Sequence, residues 1–204
     1  MCAGRRLRAH FLRLIFFAHL VATDNISAMA IPQIRAAVQD DANAVTAIYN
    51  QGIAARSSTF ETAPRDVDDI RARLRDPEFP MLVAVGADGT VVGWAGLGRY
   101  RPRACYAGIA EFSIYLDESA RGRGIGRVLL AALIEVAAAR GFWKLVSRIF
   151  PFNTASRRLC AACGFREVGV YEKHGQLDGQ WLDVVIVERL IPANVAARSG
   201  GSSL

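Results

Sequence analysis

Residues 33–38 alternate between apolar and polar side chains and predict a first strand. The next run, DDANAVTAIYNQGIAARSS, shifts to a helical period. Val45, Ile48, Tyr49 and Ile53 share one face, and Asp40 or Asp41 is placed to cap its start. Residues 59–64 read as loop. Residues 66–75 form a shorter helical pattern with Val67, Ile70 and Leu74 on one stripe, stopped by Pro77. Two apolar runs, MLVAV and VVGWAGLGRY, flank Asp88-Gly89, which predicts a hairpin. YAGIAEFSIYL is a further strand, and VLLAALIEVAAAR is a helix closed by Gly141. WKLVSRIF reads as a strand and TASRRLCAAC as a short helix ending at Gly164. REVGVYEK and WLDVVIVERL are the last strands, joined by a loop around HGQLDGQ. The order β-α-α-β-β-β-α-β-α-β-β predicts a mixed α/β class with a partly antiparallel sheet.

Composition adds limits rather than a function. At 204 residues the chain is long enough for one domain with a real core, and 52% hydrophobic residues exclude a disordered or fibrous protein. The net charge of +6 favours anionic ligands without choosing between nucleic acid, membrane and a phosphorylated cofactor. Cys2, Cys105, Cys160 and Cys163 form no evenly spaced framework, so reduced thiols and a cytoplasmic setting are expected. Cys160 and Cys163 make a C-x-x-C pair, but no second pair accompanies it and His10, His19 and His174 are scattered, so no metal site is expected.

Residues 1–28 have a basic start, an apolar stretch and a small-residue end, loosely like a secretory signal. Arg13 and His19 interrupt that stretch, which is too short to span a bilayer. MAIPQIRAAVQDDA, from Met29, reads as the beginning of a soluble domain. Residues 1–28 are therefore expected to be an over-extended start or a targeting-like segment. Residues 29–192 are expected to form the domain, and 193–204 a disordered tail.

The chemistry concentrates in ESARGRGIG, residues 118–126, between a strand and a helix. A glycine-rich turn into a helix leaves backbone N–H groups unpaired, adds the positive end of the helix dipole, and lets an anion approach the backbone closely. A Walker loop would need a lysine that is missing here. The dinucleotide fingerprint needs different glycine spacing and a parallel β-α-β unit. RNA-binding Arg-Gly segments come in longer runs.

Arg121-Gly122-Arg123-Gly124-Ile125-Gly126 resembles the Q/R-x-x-G-x-G/A signature of the GCN5-related N-acetyltransferases (GNAT). Asn153, Ala155-Ser156 and Gly164-Phe165 resemble that family's later motif. The order of elements matches from Gln33 through Leu190. RPRACYAGIAEFSIYL, EKHGQLDGQWLDV and STFETAP resemble the phosphinothricin acetyltransferase branch. The resemblance implies the GNAT fold, a mixed and largely antiparallel central sheet flanked by helices, and acetyl-CoA as co-substrate.

By the same resemblance Arg121, Gly122, Arg123, Gly124, Ile125, Gly126 and Arg127 hold the pyrophosphate. Ile114, Tyr115 and Leu116 lie beside the pantetheine, which Asn153 and Ser156 also contact. Glu111 is the general base. It is a lone carboxylate in an apolar strand, a costly placement unless it is paired or open to a cleft. Phe60, Arg101, Arg103, Tyr106 and His174, with Arg99 behind them, are the candidate substrate residues, since arginine forks suit the two anionic groups of phosphinothricin. Where many relatives carry a tyrosine that protonates the leaving thiolate, this chain has Cys160. The expected partner is a small amino acid (phosphinothricin, methionine sulfoximine or the arsenical arsinothricin), with no nucleic acid or membrane, in a homodimer. A protein N-terminus, a polyamine, or a non-catalytic CoA- or RNA-binding module are the competing expectations.

Overall fold

The computed structural model describes residues 32–199. The expected 1–28 segment and residues 200–204 lie outside them. The strands are β1 Gln33–Ala36, β2 Met81–Val85, β3 Val91–Arg99, β4 Ile109–Leu116, β5 Lys144–Ile149, β6 Arg166–Leu177 and β7 Gln180–Leu190. The helices are α1 Ala42–Ala54, α2 Val67–Leu74, α3 Ile125–Ala139, α4 Thr154–Ala162 and α5 Pro192–Ser199. One seven-stranded sheet runs in the order β1-β2-β3-β4-β5-β7-β6. Its pairs are antiparallel except β4 with β5, so the expected fold class holds.

Alternation divides the sheet into two faces. Leu82, Ala84, Ala95, Leu97, Ala110 and Phe112 point to one face, where Leu129, Leu130, Leu133 and Ile134 of α3 and Cys160 of α4 close the larger core. Met81, Val83, Val85 and Trp94 point to the other, against Val45 and Ile48 of α1 and Ile70 of α2. A third, small cluster joins Phe150, Leu177 and Val184 with Phe60.

Both helices of the larger core end on a glycine. Gly141 has φ 81°, and the N–H groups of Gly141 and Phe142 donate to the carbonyls of Ala138 and Ala137. Gly164 has φ 80°, and Gly164 and Phe165 donate to Ala161 and Cys160 in the same pattern. These are Schellman caps, which need a residue in the left-handed region. The Gly-Phe pair is thereby explained, since the ring of Phe165 lies 4.8 Å from that of Phe112 in the core.

Several boundaries depart from the sequence reading. The first helix spans 42–54 rather than 40–58. Asp41 does not cap it; its carboxylate takes Arg35 at 2.6 and 2.7 Å and the N–H of Val38 at 2.8 Å. Residues 104–106 make a 3-10 turn, so β4 begins at Ile109. The third helix starts three residues earlier than its apolar pattern, because Gly124 in the left-handed region opens it. β6 continues through His174 to Leu177 where a loop was expected, and the reversal is confined to Asp178-Gly179, both at positive φ. The bulge that disguised this strand lies between Tyr171 and Gly175, with Lys173 at φ 48°. Residues 192–199 are helical rather than disordered; the Nδ2 of Asn194 donates to the carbonyls of Ala138 and Phe142, both at 2.8 Å, and ties this helix to the end of α3.

Candidate active site

β4 passes from a fully paired strand to a half-paired one. Its antiparallel ladder with β3 runs from Arg99–Ala110 to Gly93–Leu116. Its parallel ladder with β5 covers Ile109, Ala110 and Glu111 alone. Beyond Glu111 the two strands stay linked by Ser147 Oγ, which donates to the carbonyl of Phe112 at 3.0 Å. From Ser113 to Leu116, β4 therefore has no strand on its second edge, along the three predicted pantetheine neighbours Ile114, Tyr115 and Leu116, although the carbonyl of Leu116 takes Arg121. The ring of Tyr115 is stacked on Trp94 with centroids 4.9 Å apart, and burial raises its hydroxyl above the ordinary phenol value.

The glycine loop follows at the end of that edge. A 3-10 turn, Glu118–Ala120, is capped by Asp117, whose carboxylate accepts from Ser119 N at 2.9 Å. Gly122 and Gly124 have φ 73° and 79°, and a Cβ on either would meet nothing within 4 Å, so the backbone angle rather than crowding calls for glycine. At Gly126 crowding decides instead: a Cβ there would stand 3.2 Å from Leu159 of α4. Among the described residues, the N–H groups of residues 122–126 have no backbone partner. Arg121 turns back to the carbonyl of Leu116 at 3.3 Å, whereas Arg123 and Arg127 are exposed and, among the described residues, form no ion pair. A run of free N–H groups at the start of a fifteen-residue helix, flanked by two free guanidinium groups, fits a pyrophosphate.

Asn153 caps α4. Its Oδ1 accepts from Ser156 N at 3.1 Å and its Nδ2 donates to the carbonyl of Ser57 at 3.0 Å, tying the loop after α1 to the fifth strand's end. Cys160 faces the larger core at 2% exposure, and burial pushes its thiol up to about 12. A buried thiol held protonated in this way is no proton donor for a leaving group in solvent reach. Cys163 is also buried and free, and its thiol is 3.9 Å from the carbonyl of Arg127.

Glu111 lies on the α1/α2 face at the last rung shared by β4 and β5. Directly opposite on β3 is Gly98, where a Cβ would meet nothing within 4 Å. Space therefore opens beside the carboxylate. Arg148 of β5 forks onto it with bonds of 2.7 and 3.1 Å, and the two side chains remain 41% and 30% exposed in the order Arg148, Glu111. Two N–H bonds leave lone pairs on both carboxylate oxygens, so Glu111 can still receive a proton.

Sequence reasoning missed Arg148. Its signal was the same as that of Glu111, a charge inside an apolar strand, but the parallel register that joins them is not written locally. Arg73 was missed too. It flanks the Ile70 stripe of α2, and its guanidinium lies 5.3 Å over the ring of Trp94.

The predicted substrate residues fall into two groups. Phe60 sits edge-on to Phe150 at 4.8 Å and 6.4 Å from His174; Gly175 makes room for it, since a Cβ there would come within 2.9 Å of the Phe60 ring. Arg101 lies 5.3 Å over Tyr100, whose ring meets Tyr106 at 5.8 Å, and Arg103 is exposed at the head of the same turn. Among the described residues no hydrogen bond or ion pair joins either group to Glu111. Arg99 points to the opposite face of the sheet, pairs with Glu78 at 2.8 Å and lies over Phe79, so it does not belong with them.

The sequence profile of the Acetyltransferase (GNAT) family matches residues 45–165, more than half of the chain. The chain belongs to that family. Among its relatives, phosphinothricin N-acetyltransferase of Alcaligenes faecalis is 37% identical over 164 residues, covering 78% of this chain and 83% of that protein. L-methionine sulfoximine/L-methionine sulfone acetyltransferase of Pseudomonas paraeruginosa is 36% identical over 161 residues, covering 76% and 92%. Among solved structures, ribosomal-protein-alanine N-acetyltransferase from Brucella melitensis superposes with TM-score 0.75 at 35% identity, over 78% of this chain and 99% of that one. A phosphinothricin acetyltransferase from Sinorhizobium meliloti, solved with acetyl-CoA, gives TM-score 0.75 at 31% identity, over 79% and 89%. The chain is an N-acetyltransferase of the phosphinothricin acetyltransferase-like branch.

Proposed function

We propose that this enzyme moves the acetyl group of acetyl-CoA to the α-amine of a phosphinothricin- or methionine sulfoximine-like amino acid, with Glu111 as general base. The observation that carries the reading is Glu111 itself, a carboxylate facing open space at the rung where β4 loses its neighbour.

Acetyl-CoA supplies an acyl group already activated as a thioester. The N–H groups of residues 122–126, with Arg123 and Arg127 beside them, fit its pyrophosphate, and the free edge of β4 at residues 114–116 fits the amides of its pantetheine arm. Asn153 and Ser156 are assigned to that arm as well. Glu111 takes the proton of the acceptor's ammonium, directly or through a water, since an α-amine is mostly protonated at neutral pH and attacks only when neutral. Arg148 fixes the orientation of that carboxylate. No protein acid is assigned to the thiolate, because Cys160 is turned into the core. Arg101, Arg103, Tyr106, Phe60 and His174 are assigned to the acceptor's side chain.

The enzyme acts in this reading as a cytosolic homodimer. Val168, Val170 and Tyr171 of the edge strand β6 are 48%, 53% and 52% exposed, and an edge with that much apolar surface favours a partner. Among the described residues no helix is long and apolar enough to cross a membrane.

Thiol release from acetyl-CoA, followed against a panel of acceptors, tests the assignment. Phosphinothricin, methionine sulfoximine or arsinothricin should be turned over well above an alanine-ended peptide and a polyamine. Turnover of the peptide alone would move the acceptor to protein N-termini. Acetyl-CoA binding with no turnover of any amine would leave a non-catalytic module.

A further inference from the structure

The α1/α2 face holds a half-buried guanidinium that, among the described residues, has no salt-bridge partner. Arg73 comes from the last turn of α2, and its side chain lies across Trp94 at 5.3 Å from the ring centroid. Among the described residues its one hydrogen bond, from Nη2 to the carbonyl of Leu97, is long at 3.4 Å. A guanidinium has five N–H donors in a planar fork. The carboxylate that might have taken them, Glu61, already accepts from Arg65 and from the hydroxyl of Tyr49. Burial pulls Arg73 down from the ordinary guanidinium value, by more than the nearby Tyr49, Tyr115 and Glu61 raise it. Leaving a half-buried charge without a hydrogen-bonded carboxylate costs free energy that stacking on an indole only partly returns.

The position of this fork relative to Glu111 follows from strand register. Trp94 pairs with Tyr115, Gly96 with Ser113, and Gly98 with Glu111. A Cβ on Gly96 would stand 3.1 Å from Nη2 of Arg73, so the guanidinium lies over the Gly96–Ser113 rung, one same-face step from Glu111. Successive same-face residues are about 6.8 Å apart along a strand. Between the two groups β3 offers only Gly96 and Gly98, a floor without side chains. In an α-amino acid the amine nitrogen and the carboxylate carbon are separated by two bonds, about 2.5 Å. Adding a hydrogen bond of about 2.8 Å at each end spans that step.

We propose that Arg73 binds the α-carboxylate of the acceptor and thereby selects amino acids over amines that lack one, an inference that rests on the amino-acid acceptor proposed above. The side-chain head of the acceptor then extends the other way, toward the Phe60–His174 and Arg101–Tyr106 groups.

The test compares an acceptor amino acid with its carboxamide, in wild type, Arg73→Met and Arg73→Lys. Wild type should favour the amino acid by about 100-fold in kcat/KM, the size of a charge-assisted hydrogen-bonded pair. Arg73→Met should lose that factor through KM for the amino acid and much less on the carboxamide, and Arg73→Lys should fall between. Two readouts are independent of turnover. Met can lie over Trp94 without an unpaired charge, so Arg73→Met should melt no lower than wild type. With Trp143 and Trp181 replaced by Phe, titration with the amino acid should change Trp94 fluorescence, and Arg73→Met should abolish the change. Equal losses on both acceptors, or Trp94 emission unmoved by the amino acid, would overturn the proposal and leave the acceptor assignment standing. If wild type acetylates no amino acid, the acceptor assignment itself fails and this inference with it.

Discussion

The two faces of the central sheet are made by the same strands and serve opposite ends. Toward α3 and α4 the alternating positions are aliphatic or aromatic, and Leu97, Leu129, Leu130, Leu133 and Leu145 are all at 0% exposure. Toward α1 and α2 the same strands place Gly96, Gly98 and Glu111, with Arg148 and Arg73 entering from neighbouring elements. One face excludes water and holds the fold. The other is packed where Met81, Val83, Val85 and Trp94 meet α1 and α2. Toward Glu111 it leaves out side chains on β3, keeps charges incompletely paired and gives up packing for a cleft. Period-two alternation lets one strand do both without compromise, since a residue changed on one face does not enter the other.

The comparison breaks if substitutions on the two faces have the same consequences. The largest effect is expected for Glu111→Gln, which should lower kcat/KM by about 10²–10⁴-fold. Its melting temperature should hardly move, because a half-exposed ion pair contributes at most about 1 kcal/mol. Leu130→Ala should do the reverse. It opens a cavity on the packed face and should cost about 2–5 kcal/mol in denaturant unfolding, with kcat unchanged at temperatures where the protein stays folded.

Gly124→Ala tests the hinge between the faces, where the loop turns from β4 into α3. With φ at 79° and open space around the new methyl, the expected stability loss is about 1 kcal/mol. The KM for acetyl-CoA should rise about tenfold, since about 1.4 kcal/mol of misaligned N–H contact corresponds to that factor, and the KM for the amino acid should not.

The smallest effect sharpens what charge on the α1/α2 side means away from the cleft. Asp41 is buried, and hydrogen bonds from Arg35 hold its carboxyl below the usual range. Its contribution is complete above the unfolded carboxyl value near 4 and is lost as pH falls through the lower folded value. Asp41→Asn should therefore flatten the acid limb of the stability curve by about 1–2 kcal/mol without touching kcat.

How much of this was legible depended on distance along the chain. The glycine loop was, because three glycines and the strand-to-helix change lie within nine residues. Glu111 was legible as one carboxylate in an apolar run. Asn153 and Gly164-Phe165 were found through their spacing, and the structure gives each a local physical cause in the caps of α4. What escaped required docking. Arg148 meets Glu111 only through a parallel pairing of β4 and β5, and Arg73 reaches the cleft only when α2 packs on Trp94. The longer β6 was hidden for a different reason. A bulge at Lys173 interrupts the alternation, so His-Gly-Gln reads as loop although it continues the ladder to Leu177. Arg99 was misplaced by the opposite error: three arginines two apart look alike until the strand assigns Arg99 to the closed face.

The most direct test of Glu111 as general base is the pH dependence of kcat/KM for wild type and Glu111→Gln with the best amino-acid acceptor. Without the base the enzyme must wait for the neutral amine, whose fraction rises tenfold per pH unit up to the amine's own value. In a free amino acid that value lies above the value of about 8 of a chain N-terminus, because the neighbouring carboxylate stabilises the ammonium. The deficit of Glu111→Gln should therefore shrink steadily as pH rises from 6 to 9, by about tenfold or more across that range. A deficit of the same size at every pH would make Glu111 a positioning or electrostatic residue, and no deficit at any pH would remove it from the chemistry altogether.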